Sequence, residues 1–214
     1  MWQTLLDFIF PRRSLSGREG EWITAAERRR LASFPVVEEA VQLRKRGIRY
    51  LDHLVAASTY RASPLLKKAI HSFKYGRVAE LDLELAALIL RCIPSKGAAK
   101  SVLCPVPLHW TRRFARGFNQ AERLARFIAE VRGLELRHLL RRIRSTGSQA
   151  QRKRAERLTA VKGAFRCTTA DPPKRVVLID DLSTTGATLD ACAQALKEAG
   201  ATWVEAWVIA HDPT

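Results

Sequence analysis

A buried strand that runs directly into an acidic, threonine-rich turn constrains this chain more than any other feature of its sequence. Residues 176–179 are all apolar, and Asp180 and Asp181 follow them at once. Residues 182–188 read Leu-Ser-Thr-Thr-Gly-Ala-Thr and lead into a helical pattern over 187–198. A short apolar run without alternation is typical of a strand that is buried on both faces, and such strands belong to parallel sheets covered by helices.

Strand and helix patterns alternate along the rest of the chain. Strands are predicted near residues 48–60, 101–104, 134–143, 174–179 and 203–210, and helices near 25–31, 36–46, 64–76, 78–92, 118–131 and 187–198. This order predicts an α/β fold whose central, mostly parallel sheet has helices on both faces. Residues 1–47 are predicted to form a helical N-terminal appendage, and residues 48–214 the main domain.

The chain is strongly basic, with 37 Lys and Arg residues against 21 acidic ones and a formal net charge of +16. Such a surface attracts polyanions, although a surplus that only aids solubility would look the same. Residues 137–157 hold eight basic residues and one acid, Glu156, which suits either a nucleic-acid contact or a loop over a sugar phosphate. The run has no aromatic residue, which counts against a plain single-strand binder that stacks bases.

The sequence indicates neither a structural metal nor a membrane anchor. The four cysteines lack the short spacing of a zinc site or a redox pair, so we expect reduced thiols, with Cys104 and Cys192 buried, and no structural zinc. The apolar start of the chain is interrupted by Asp7 and is too short to span a bilayer. We therefore expect no membrane insertion and a cytoplasmic protein.

The turn after the acidic pair has the features of a phosphate site. The N-terminus of a helix presents free backbone N–H groups and about half a positive charge. Gly186 permits close approach of the backbone, and the threonines add hydroxyl donors. Carboxylates suit ribose hydroxyls, and a Mg²⁺ ion carried by the ligand would offset their repulsion of a pyrophosphate. The residues predicted to bind ribose and phosphate are Asp180, Asp181, Ser183, Thr184, Thr185, Gly186, Ala187 and Thr188.

Two other interpretations of this segment compete with a sugar phosphate site. A Walker-B-like strand also ends in aspartate, but a nucleoside triphosphatase of that kind needs a Gly-x4-Gly-Lys-Ser/Thr loop, which the chain lacks. The other interpretation is an ordinary strand–turn–helix unit whose turn happens to be acidic.

The segment 175–188 resembles the phosphoribosyl-pyrophosphate loop of type I phosphoribosyltransferases. Further segments narrow the resemblance to the ComF family, the competence-associated phosphoribosyltransferase-like proteins. They are Lys-Tyr-Gly-Arg at 74–77, Cys-Pro-Val-Pro-Leu at 104–108, Arg-Phe-Ala-Arg-Gly-Phe-Asn-Gln at 113–120, and Gln149 followed by Glu-Arg-Leu at 156–158 and Lys-Gly-Ala-Phe at 162–165. Together they cover residues 70–214, and the Arg-Gly-Phe-Asn-Gln run and the phosphate loop are the specific parts.

The resemblance implies a type I phosphoribosyltransferase-like fold with a small hood, and it implies further site residues. Arg113 and Arg116 would be catalytic and would grip a departing pyrophosphate. The other implied ligand contacts are Lys74, Arg77, Pro105, Asn119 and Gln120. The residues alone leave other roles open: a helix N-cap for Asn119, a basic helix C-terminus for Lys74 and Arg77, and solvated side chains for the two arginines.

The resemblance also implies a function, which is binding of phosphoribosyl pyrophosphate or a nucleotide with Mg²⁺ in DNA uptake during natural transformation. Single-stranded DNA and a DNA-uptake helicase would be the partners. If the chain is an enzyme, it transfers a pentosyl group from pyrophosphate to a nitrogen nucleophile. The alternatives are a non-catalytic phosphoribosyl or nucleotide sensor and a single-stranded nucleic-acid-binding accessory protein.

The chain departs from the family in two places. Members usually begin with a cysteine-rich zinc module, whereas residues 10–18 here contain no cysteine, so we expect no zinc. Ala160 stands where relatives often carry Asn, so one contact of the hood would be lost.

Overall fold

A computed structural model of the chain describes residues 13–31, 33–61, 63–75, 81–93, 100–108, 117–144 and 161–212. The helices in these ranges are α1 (Ala25–Arg30), α2 (Ala40–Lys45), α3 (Pro64–Tyr75), α4 (Leu81–Cys92), α5 (Gln120–Arg132) and α6 (Ala187–Glu198). The strands are β1 (Val36–Glu39), β2 (His53–Thr59), β3 (Val102–Pro105), β4 (Glu135–Leu136), β5 (Leu140–Arg142), β6 (Phe165–Cys167), β7 (Arg175–Ser183) and β8 (Trp203–His211). None of the helices described is both long and apolar enough to cross a lipid bilayer.

Six strands form one sheet in the order β1-β2-β8-β7-β3-β4. Only the edge strand β1 runs antiparallel to its neighbour, and the other four pairings are parallel. Strands β5 and β6 form a separate antiparallel hairpin. These pairings confirm the predicted α/β fold with a mostly parallel central sheet.

Strand β7 is buried on both faces, as its apolar run predicts. Val177 and Ile179 belong to a core that includes residues of α3, α4 and α5. Val176 and Leu178 belong to a second core on the other face, which includes residues of α6. Because successive side chains of a strand point to opposite faces, this division places helices on both sides of the sheet.

The predicted burial of two cysteines is also confirmed. Cys104 on β3 and Cys192 on α6 are both fully buried in the second core. Burial raises the pKa of Cys104 to about 12, so its thiol stays protonated and unreactive.

The predicted helix over residues 36–46 is wrong in its first part. Val36–Glu39 is strand β1, which pairs with β2, and only Ala40–Lys45 is helical. The open edge of β2 offers this β-branched segment a ladder of hydrogen bonds, which overrides the local helical pattern. The predicted boundary between an appendage and a main domain at residue 47 stays a prediction.

The single strand predicted over residues 134–143 is two short strands in different sheets. Glu135–Leu136 pairs with β3, and Leu140–Arg142 pairs with β6. Between them, Arg137 and His138 have side chains that are 41% and 56% exposed. The backbone N–H of Arg137 still donates to the carbonyl of Leu103, and the chain then leaves the edge of the sheet to pair with β6.

The carboxylate of Asp190 fastens the loop before β2 to the first turn of α6. It accepts hydrogen bonds from the backbone N–H groups of Arg49, Tyr50 and Leu51, at 2.6–3.0 Å. These groups lie about 140 residues earlier in the chain, so the contact depends on the finished fold.

We predict that Asp190→Ala lowers the free energy of unfolding by about 2 kcal/mol, because three N–H groups lose a charged acceptor. Urea denaturation measures this change. Asp171→Ala is the matched control, since Asp171 is exposed and its loss should change stability by less than about 0.5 kcal/mol. Equal stability of the two variants would contradict the role given to Asp190.

Candidate functional site

A small pocket of about 30 Å³ lies where β7 ends and α6 begins. Its lining residues are Asp180, Leu182, Ser183, Thr184, Thr185, Gly186, Ala187, Thr188 and Leu189. The structure thus gathers all the residues predicted to bind ribose and phosphate, except Asp181, around one pocket. The pocket lies at the carboxyl end of a parallel strand, where open α/β sheets bind ligands.

Strand β7 is longer than predicted, because its ladder with β8 continues past Ile179. Asp180 pairs with Val208, and Ser183 pairs with His211. Both aspartates therefore lie within the strand, and their side chains point to opposite faces. Asp181 faces the side of α3, whereas Asp180 lines the pocket.

Gly186 is the N-cap of α6 and has the left-handed conformation, with φ of 80°. A Cβ atom at this position would lie 3.0 Å from Cδ1 of Ile48. The dihedral angle strains any residue other than glycine, and a Cβ would also require the Ile48 side chain to shift by a few tenths of an ångström. The glycine lets the chain turn sharply from strand to helix, so the first N–H groups of α6 lie beside the pocket.

The hydroxyl of Ser183 is a buried polar group with no hydrogen-bond partner in the described part of the chain. Ser183 is only 3% exposed, and it lines the pocket. Buried polar atoms almost always have a partner, so an unsatisfied one beside a pocket calls for an explanation. A polar group in the pocket would supply the missing partner.

Lys74 at the end of α3 forms an ion pair with the second aspartate of β7. Its Nζ lies 3.0 Å from Oδ2 of Asp181, and the two side chains are 17% and 9% exposed. The backbone carbonyl of Lys74 accepts a hydrogen bond from the side chain of Gln120 at 3.4 Å. Three segments that the sequence singled out separately thus meet at the carboxyl edge of the sheet.

Asn119 caps helix α5, as one interpretation of the sequence has it. Its side chain accepts a hydrogen bond from the N–H of Ala121 at 3.2 Å and donates one to the carbonyl of Val106 at 3.1 Å. Val106 in turn donates to Ile179, next to the buried Pro105 at the end of β3. Asn119 therefore ties α5 to the end of β3, beside β7.

The roles predicted for the other site residues stay predictions. Arg77, Arg113 and Arg116 lie outside the described residues. The predicted ligand contacts of Lys74, Pro105, Asn119 and Gln120 stay predictions, although Gln120 is only 2% exposed.

The sequence interpretation missed three residues beside the loop that joins β7 to α6: Glu38, Arg46 and His211. Nη1 of Arg46 lies 2.7 Å from Oε1 of Glu38 and 2.7 Å from Nε2 of His211. Its Nη2 donates to the carbonyl of Thr184 at 3.2 Å. They belong to no motif and lie up to 173 positions apart, so no signal in the sequence joins them.

His211 is fully buried at the end of β8. Its Nδ1 lies 3.1 Å from the carbonyl oxygen of Ser183, which can only accept, so Nδ1 carries the proton and Nε2 accepts from Arg46. Burial lowers the pKa of His211, and Arg46 lowers it further, whereas Glu38 and Asp212 raise it. The net shift is downward, which keeps the ring neutral.

Within the described ranges, no group of three or more His, Cys, Asp or Glu side chains could hold a metal ion. A divalent cation at this edge of the sheet would need most of its oxygen ligands from a bound molecule.

No protein-family model matches the chain. It is 31% identical over 164 residues to the DNA utilization protein YhgH of Salmonella typhimurium, covering 74% of this chain and 71% of that protein. It is 27% identical over 151 residues to competence protein F of Haemophilus influenzae, covering 66% of each. It is 32% identical over 147 residues to competence protein ComFC of Bacillus subtilis, covering 67% of this chain and 58% of that protein.

The fold and the pocket define an α/β protein with a polar pocket between the end of a central strand and the start of a helix. The chain belongs to the ComF family of competence and DNA-utilization proteins. This membership confirms the resemblance that the phosphate loop and the Arg-Gly-Phe-Asn-Gln run indicate.

The lowered pKa of His211 predicts that this side chain makes an unfavourable contribution to stability as the pH falls. In the folded protein the pKa of His211 is below its ordinary value of 6.5. As the pH falls through 6.5, His211 therefore takes up a proton in the unfolded chain before it does so in the folded one. Between pH 7.5 and pH 5.5 we expect the free energy of unfolding of the wild type to fall relative to that of His211→Gln, because the raised pKa of His53 acts in the opposite direction but equally in both proteins. His138→Gln is the control, since that side chain is 56% exposed and should keep the wild-type pH dependence. Identical pH dependence in all three proteins would refute the role of His211.

Proposed function

We propose that the chain binds a ribose 5-phosphate, in the form of phosphoribosyl pyrophosphate with Mg²⁺, on a type I phosphoribosyltransferase-like fold. The observation that carries the proposal is the pocket at the N-terminus of α6, beside which Ser183 has a buried hydroxyl that finds no partner among the described residues. A phosphate oxygen in the pocket would accept the hydrogen bond that Ser183 lacks.

Neutral donors make the pocket suitable for a phosphate. The N-terminus of α6, a helix of 12 residues, contributes free N–H groups and partial positive charge. Thr184, Thr185 and Thr188 add hydroxyls around the same space. A pocket of about 30 Å³ has room for a single small group such as a phosphate.

The charges of the two aspartates support a sugar beside the phosphate. Lys74 balances Asp181, so one of the two acids adds little repulsion toward an anion. Asp180 lines the pocket and can accept hydrogen bonds from ribose hydroxyls.

The donor set also fits a Mg²⁺ ion that arrives with its ligand. Asp180 lines the pocket and offers carboxylate oxygens of the kind that Mg²⁺ prefers, and the pyrophosphate would supply other oxygen ligands, whereas Asp181 points to the opposite face and pairs with Lys74. When bound, the ion neutralises the charge of the pyrophosphate and eases its departure.

Two forms of this function share the site. In a transferase, the bond between the anomeric carbon and the pyrophosphate oxygen breaks, a nitrogen nucleophile bonds to that carbon, and the nitrogen loses its proton. Arg113 and Arg116 would then hold the leaving pyrophosphate. In a sensor, the ligand binds and leaves unchanged. Release of pyrophosphate in the presence of amine or base acceptors distinguishes the two forms.

The names of the relatives support a role in DNA uptake. They are called DNA utilization protein, competence protein F and competence protein ComFC. Single-stranded DNA and a DNA-uptake helicase are the partners that we propose on this basis.

We predict that the double variant Asp180→Ala, Asp181→Ala abolishes Mg²⁺-dependent binding of phosphoribosyl pyrophosphate, because ribose and ion lose their acceptors. Isothermal titration calorimetry measures the binding. Asp180→Asn is a second variant that keeps the ion pair of Lys74 with Asp181, and it should bind at least tenfold more weakly than the wild type. Binding that is unchanged in both variants would reject the site.

One observation favours a second function, contact with nucleic acid on the β5–β6 hairpin. Arg141 and Arg166 face each other directly across the two strands, and both are exposed. Like charges in this arrangement destabilise a sheet, and a bound polyanion would offset their repulsion. Residues 137–166 contain ten Lys and Arg residues and a single acid, Glu156, so the surrounding segment is positively charged as well.

We predict that Arg141→Gln with Arg166→Gln weakens binding of a labelled single-stranded oligonucleotide and reduces the slope of log affinity against log salt by about 1.5. Fluorescence anisotropy at several salt concentrations measures both quantities. Arg29→Gln with Arg30→Gln is the control, because it removes the same charge from exposed positions on α1. An equal loss in both double variants would show that only net charge matters.

A further inference from the structure

We propose that Arg46 is a positioning residue for the phosphate loop and directs the N–H of Thr185 toward the bound phosphate. The inference rests on the proposed function, because it assigns to Arg46 a part in holding the 5-phosphate. Arg46 does not line the pocket, so it acts through the backbone of the loop and not by touching the ligand.

The guanidinium of Arg46 is held in place from two strands. Glu38 on β1 and His211 at the end of β8 each lie 2.7 Å from Nη1. The side chains are well buried, at 14% exposed for Arg46, 11% for Glu38 and 0% for His211. Two buried partners on the same nitrogen, Nη1, limit the rotation of the planar guanidinium, and Nη2 is thereby aimed at one target.

That target is the carbonyl of Thr184, at 3.2 Å from Nη2. In a trans peptide, the N–H of the next residue points in the direction opposite to the carbonyl. The hydrogen bond therefore turns the N–H of Thr185 away from Arg46. Thr184 and Thr185 line the pocket whereas Arg46 does not, so the proposal places this N–H on the pocket side of the loop.

The charge of Arg46 strengthens the same effect. A cationic donor on a carbonyl polarises the peptide and makes its N–H a better donor. Glu38 offsets the charge of the guanidinium, and His211 is neutral, so the cluster as a whole stays near neutrality and can be buried.

Arg44, in the last turn of α2 and two residues before its C-cap Arg46, provides a comparison. It donates to the carbonyls of Ile48 and Leu51, at 3.0 and 2.6 Å, and lies 3.6 Å from Asp52. Arg44 thus makes the same kinds of contact as Arg46, but with the loop before β2. A variant at Arg44 shows what the loss of a purely structural arginine does.

The test uses the full chain and ribose 5-phosphate as the probe. Calorimetry measures the dissociation constant, urea denaturation measures stability, and the amide signal of Thr185 in a ¹⁵N-labelled protein reports on the loop. We expect Arg46→Met to raise the dissociation constant about 10- to 100-fold, corresponding to loss of one charge-assisted hydrogen bond. Arg44→Met should change it less than about threefold, which is under 1 kcal/mol.

Arg46→Lys keeps the charge but has a single nitrogen, so it should restore binding only in part. It also keeps the test decisive if Arg46→Met fails to fold, since wild-type binding by Arg46→Lys overturns the inference. Wild-type binding by Arg46→Met overturns the inference too. So does an equal loss of affinity in the Arg44 and Arg46 variants with no shift of the Thr185 amide signal. Failure of the wild-type chain to bind ribose 5-phosphate contradicts the proposed function itself, which separates the two ideas.

Discussion

The parallel pairing of β7 with β8 positions the pocket and the side chains around it. The ladder runs from Arg175 to Ser183, and its apolar part is buried between two hydrophobic cores. The polar residues lie at the C-terminal end of this ladder. The strand that stabilises the sheet therefore also places the pocket at the edge of the sheet. Ser183 lies opposite His211 in this register, which brings the histidine to the back of the phosphate loop. A shift of one residue would move each of these side chains to the wrong face.

Paired charges surround a pocket that is itself lined almost entirely by neutral groups. Lys74 balances Asp181 on one side of the strand, and Glu38 balances Arg46 behind the loop. Buried charges are tolerated when they are paired, and each pair also ties two distant elements together. Backbone N–H groups and hydroxyls are then left to face a ligand, with Asp180 as the acid of the pocket lining.

Helices and strands were predicted correctly where nearby residues in the sequence specify them. The predictions were wrong where pairing with another strand decides the structure. The predicted helix α6 and the strand β8 agree with the structure to within a residue at each end. Strand β1 was predicted as helix, because its short pattern could adopt either form and only the open edge of β2 selects the strand. The split of residues 134–143 likewise depends on neighbours, since Glu135–Leu136 pairs with β3 and Leu140–Arg142 pairs with β6.

The sequence by itself determined the order of strand, acidic pair, glycine turn and helix, and it identified the family. Each of these features is specified by residues close together in the sequence. The apolar run, the conformational freedom of Gly186 and the capping side chain of Asn119 are examples. Only the tertiary structure decided that Lys74 pairs with Asp181 and that Arg46 reaches Thr184. Arg46 and Thr184 are 138 positions apart, and no local pattern encodes a contact that the packing of separate elements creates.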